Sequence, residues 1–121
     1  NKIDADGNII APLGILKVRA RMRNDCFGLK GFDAALYKNS GDPAFDSFHI
    51  EAPYSFGLKE MKGELQFVED GNYQLRMSAR GFLFRREEGA PAQIQESVEE
   101  LNLVFEKGLI KISGVRQTKV V

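Results

Sequence analysis

Residues 16–23 read Leu16-Lys17-Val18-Arg19-Ala20-Arg21-Met22-Arg23, an apolar residue alternating with a cation at every step. Successive side chains of a β-strand point to opposite faces. The spacing therefore predicts a strand with Leu16, Val18, Ala20 and Met22 on one face and Lys17, Arg19, Arg21 and Arg23 on the other. Four cations set two residues apart span roughly 20 Å. The chemistry open to such a row is anion recognition, because a guanidinium fork meets a carboxylate or phosphate through two parallel hydrogen bonds. Two plainer readings stand beside it. Acids on neighbouring strands, Glu60, Glu64, Glu100 and Glu106 among them, could neutralise the row at about 0–1 kcal/mol per exposed pair, or the charges could guard an edge strand.

A second set of candidates lies in residues 39–57, which carry Phe45, Phe48, Tyr54 and Phe56 together with the single histidine, His49. The stretch reads as one long irregular segment, and such loops are usually functional or disordered. Four aromatics argue against disorder. Phe48, Tyr54 and Phe56 are candidates for apolar contact with a ligand or partner. The alternative is that they plug the open end of a β-structure as core, since one exposed patch of four would favour aggregation. His49 could act with Cys26, or with Asp42, Asp46 or Glu51, in a small hydrolase or a metal-assisted enzyme. No local motif surrounds Cys26, and a lone cysteine is usually a small buried hydrophobe.

Two short motifs need weighing. The Arg19-x-x-x-Arg23 spacing resembles the arginine pair of PilZ domains, which bind cyclic dinucleotides on a β-barrel. The following Asp33-Ala34-Ala35-Leu36-Tyr37-Lys38 offers the acid and the small residue of that family's second motif. It has Lys38 in place of the glycine and follows the arginines too closely, so the resemblance stops at a handful of residues. Asp4-Ala5-Asp6-Gly7-Asn8-Ile9 is similar to the centre of an EF-hand loop. Lys2 and Leu13 fall where its first and last chelating acids belong, so a turn before the first strand is the reading kept.

The elements that must position these residues follow from parity. Residues 59–69 set Met61, Leu65 and Phe67 against Glu60, Lys62, Glu64 and Gln66; residues 73–80 set Tyr73, Leu75, Met77 and Ala79 against Gln74, Arg76, Ser78 and Arg80. Asp70-Gly71-Asn72 between them is a turn signal. A three-residue loop there pairs Phe67 with Leu75 and Leu65 with Met77 and keeps one face apolar. Lys107-Gly108 as a two-residue loop pairs Phe105 with Ile110, Leu103 with Ile112 and Glu99 with Arg116. Residues 27–38 read as a strand with Phe32, Ala34 and Leu36 on one face and a bulge or bend at Gly28 and Gly31. Pro91, Ile94, Val98 and Leu101 leave a short helical turn as an option near 91–98.

The fold class that results is all-β, mainly antiparallel, a small β-barrel or β-sandwich of five to seven strands. Residues 1–121 read as a single domain, with 1–12 an N-terminal turn or extension. Seventeen basic and seventeen acidic residues cancel, so no global field draws the chain to nucleic acid or membrane. No apolar run is long enough for a membrane-spanning segment. The start at Asn1 without a methionine reads as trimmed and leans to a secreted or envelope-associated origin.

The leading expectation is a non-catalytic binding or interaction module, a monomer or homodimer without cofactor or metal. It would recognise a small ligand or protein partner, anionic in character, through Lys17, Arg19, Arg21 and Arg23 with Phe48, His49, Tyr54 and Phe56. The alternatives are the enzyme centred on His49 and a structural domain that assembles through an edge strand.

Overall fold

Alternating apolar and polar residues become strands along the whole computed structural model, which describes residues 2–21, 27–38, 43–53, 58–83 and 93–120. At residues 27, 82–83, 93–95 and 115–120 it describes the backbone alone. The strands are β1 (Lys2–Ile3), β2 (Ile9–Ile10), β3 (Ile15–Arg21), β4 (Phe27–Tyr37), β5 (Asp46–Glu51), β6 (Glu60–Gln66), β7 (Gly71–Leu83), β8 (Gln93–Glu106) and β9 (Leu109–Val120). No helix occurs among the described residues. All pairings are antiparallel: a seven-stranded sheet in the order β1-β2-β9-β8-β7-β4-β5 curls into a half-barrel, and β3 pairs with β6 as a second, two-stranded sheet. The expected all-β class is the one observed.

The core fills the space between the two sheets. Ala34, Leu36, Tyr73, Leu75, Leu103, Phe105 and Ile110 come from the large sheet and meet Leu16 and Leu65 of the small one and Phe67 just after β6. Phe67 is the hub, with its ring centroid 4.7 Å from Tyr73 and 5.1 Å from Phe105. Leu29, Phe32, Ala52 and Met61 form a second cluster, and Val18, Phe48 and Met77 pack against both.

Local chemistry fixes the corners. At the β8–β9 hairpin Lys107 and Gly108 both have positive φ (50° and 75°), the backbone of a two-residue turn whose twist matches that of the strands. Phe105 faces Ile110 and Leu103 faces Ile112, as the sequence predicts. Beyond them Ser113 is an extra residue, a β-bulge that shifts the register. Its hydroxyl donates to the Asn102 carbonyl at 3.0 Å. Arg116 consequently faces Glu100 rather than Glu99. In β4 the bulge lies between Leu29 and Gly31, and Phe32, Ala34 and Leu36 are buried as the alternation requires.

Three further expectations are corrected. β6 and β7 do not form a hairpin: β6 pairs with β3, and β7 lies between β4 and β8. Residues 68–70 carry the chain from one sheet to the other, so Leu65 and Phe67 meet Tyr73 and Leu75 across the core and not side by side. Residues 39–57 are not one irregular loop, because Asp46–Glu51 is the edge strand β5, paired with β4. The helical turn considered near 91–98 is strand from Gln93 onward, where β7 supplies a ladder from Leu83 back to Gly71 and Val98 stands opposite Ser78.

Candidate functional site

The basic row is where the alternation puts it. Leu16 is buried and Val18 and Ala20 half-buried against the core, while Lys17, Arg19 and Arg21 are exposed on the outward face of β3. Arg23 lies outside the described residues. Antiparallel register sets Lys17 opposite Glu64, Arg19 opposite Lys62 and Arg21 opposite Glu60. Arg19 therefore has no carboxylate directly opposite it on β6. Arg19 Nη1 comes within 3.4 Å of Glu60 Oε1 with 58% of its side chain still exposed, and it directly faces a like charge, which is unfavourable. Across these three rows, four cations meet two carboxylates. Glu100 and Glu106 belong to β8, in the other sheet.

The aromatic candidates do not join this row. Phe48 points inward, edge-on to Phe32 at 5.3 Å between centroids. Its ring lies so close over Gly63 of β6 that a Cβ there would come within 2.4 Å of it. Phe48 packs against both core clusters, whereas Phe45 stays exposed. Tyr54 and Phe56 lie outside the described residues, as does Cys26.

His49 faces the opposite way, onto the convex side of the large sheet, 55% exposed. There it belongs to a charged cluster of which the sequence indicates His49 and Glu51 but not Asp33 or Arg80. Asp33 on β4 stands directly opposite and bonds its Nδ1, and Glu51 Oε1 is 3.3 Å from its Nε2. Arg80 reaches in from β7, its Nη2 3.7 Å from Asp33 Oδ2 and 3.6 Å from Glu51 Oε1. Gly31 makes room for that guanidinium, since a Cβ there would lie 2.5 Å from Nη2. The hydrogen bond that the ring donates to Asp33, with the charges of Asp33 and Glu51, raises the imidazole above its ordinary value. The one sequence signal for the cluster is the alternation of Phe48 and Ile50 with Ser47, His49 and Glu51, which makes β5 a strand.

This geometry favours holding a proton. With both ring nitrogens facing carboxylates, His49 is arranged as an imidazolium with two donors. A ring so engaged has no free lone pair for a metal or for deprotonating a nucleophile. His49, Asp33 and Ser78 do lie in one row across β5, β4 and β7. A nucleophile relay, however, needs the imidazole between hydroxyl and carboxylate. Here the carboxylate is in the middle, and the Ser78 hydroxyl donates to Glu96 at 2.8 Å. Among the described residues no group of three or more His, Cys, Asp or Glu is arranged to hold a metal ion.

The EF-hand-like segment is a turn. Asp4 Oδ1 accepts the backbone N–H groups of Asn8 at 2.8 Å and Asp6 at 3.0 Å. The Asn8 bond leads in lowering the pKa of this carboxyl.

Comparison of the chain with known protein families, with curated proteins and with solved structures finds no match. No helix among the described residues is long and apolar enough to cross a membrane.

Proposed function

We propose that this protein is a non-catalytic interaction module that recognises an anionic ligand or acidic partner with the outward face of β3. One observation carries the reading: a chain with seventeen cations and seventeen acids sets Arg19 and Arg21 of β3 and Lys62 of β6 on one exposed face, with Arg19 directly opposite Lys62 and, in these two rows, Glu60 the carboxylate that answers them. A local excess of that kind steers and holds anions although the whole molecule is neutral. Arginine suits the task, because its planar fork matches a carboxylate or phosphate and its charge persists at all ordinary pH. Phe48 and His49 face elsewhere, so recognition rests on the cations.

The test is titration of labelled polyglutamate into the wild type and into Arg19→Ser/Arg21→Ser, at low and at physiological salt. Both residues are exposed, so the variant keeps the fold. The proposal expects binding that weakens with salt and falls at least tenfold in the variant. Binding unaffected by either change would sink it, as would no binding at low salt.

A further inference from the structure

We infer that β3 takes up an acidic, extended segment of a partner protein as a third strand of the β3–β6 sheet. The inference rests on the reading of β3 as an anion-recognising face and names the partner's chemistry and its mode of docking. Among the described residues β3 is paired on one side only, by β6. The main chain of residues 18–21 thus forms the outer edge of a two-stranded sheet, the template that strand addition uses.

The charge pattern selects the occupant. A second copy adding antiparallel through its own β3 would set a row of cations against a row of cations. Like charges directly opposite destabilise a sheet, so the row that carries Arg19 and Arg21 works against self-pairing. A strand with carboxylates at alternate positions meets the opposite situation. Its acids would line up beside Arg19 and Arg21, on the flank away from Lys62, and answer the like-charge facing of Arg19 and Lys62. Main-chain hydrogen bonds would provide affinity and the alternating acids specificity.

Three probes separate this mode from simple charge attraction: a peptide alternating glutamate with valine, the same peptide N-methylated at alternate amides, and its lysine counterpart. The inference expects the first to bind, with hydrogen exchange slowed at the amides of residues 18–21. It expects N-methylation of the paired amides to weaken binding at least tenfold, because the charges remain while the ladder cannot form. The lysine peptide should not bind. Equal binding of the plain and N-methylated peptides would overturn strand addition and leave the anion-binding face standing. Failure of every acidic probe, with no response to Arg19→Ser/Arg21→Ser, would overturn both. Concentration-dependent dimerisation with slowed exchange at residues 18–21 and no peptide bound would assign the edge to a second copy, and the inference would fall.

Discussion

His49 shows how one residue's chemistry depends on neighbours far away in the chain. Asp33 and Glu51 both stabilise its protonated form, and a raised folded value has a fixed consequence for pH dependence. The contribution of the charged ring is fully present below the unfolded value of about 6.5 and is lost as pH rises through the folded value. The single imidazole resonance should therefore titrate above that of a model peptide in NMR, and Asp33→Asn should bring it down. His49→Asn should destabilise the protein at about pH 5.5 and have less effect at about pH 9; equal effects at both would show that the ring's charge is not what matters. Gly63 is the other residue whose role is decided from outside its own strand. A methyl group there meets the Phe48 ring, itself held against Phe32. Gly63→Ala should lower stability by about 1–3 kcal/mol, read from the urea midpoint at constant slope.

At the scale of elements, the contrast between β8–β9 and β6–β7 shows what an amino-acid pattern can specify. The β8–β9 hairpin was legible because a two-residue turn leaves a single register that keeps Leu103, Phe105 and Ile110 on one face. Lys107 is its weak point, a non-glycine residue at φ 50° where asparagine is favoured. Lys107→Asn should raise stability by about 0.5–1 kcal/mol, measured by thermal unfolding; a loss would mean that the lysine contributes more than its backbone costs. The bulge at Ser113 was not legible, since the pattern on either side of it reads the same with one residue more. For β6 and β7, alternation correctly put Leu65, Phe67, Tyr73 and Leu75 in one core. Alternation cannot say whether two apolar faces are neighbours in a sheet or look at each other across the core. β5 was hidden between Pro43 and Pro53, although Phe48 and Ile50 alternate with polar residues as any half-buried strand does. The basic row was legible because it lies within one strand; the cluster around His49 joins three strands, so only the pairing reveals it.

For the molecule as a whole, the β3–β6 sheet is the lid on the half-barrel, and the core holds together through the side chains that it lowers into the curve. Phe67→Ala would empty the contact with Tyr73 and Phe105 at once, and should cost about 3–5 kcal/mol in equilibrium unfolding. A loss below 1 kcal/mol would mean that the lid is not part of the cooperative unit. The same architecture separates the surfaces. The cations of β3 face outward from the lid, and the His49 cluster lies on the convex side of the large sheet, so binding at one need not disturb the proton held at the other.

The pairing of β3 with β6 has a consequence in time. Arg19 and its ion-pair partner Glu60 are 41 positions apart in the chain, and β2 waits still longer for β9. During synthesis or refolding, an apolar-faced strand therefore exists for an interval before its partner arrives, the situation in which chains stick to one another. The cations of β3 then act as gatekeepers: each growing chain carries its own electrostatic repellent on a strand whose partner is made late, and the same charges go on opposing self-pairing at its outer edge after β6 has paired with it.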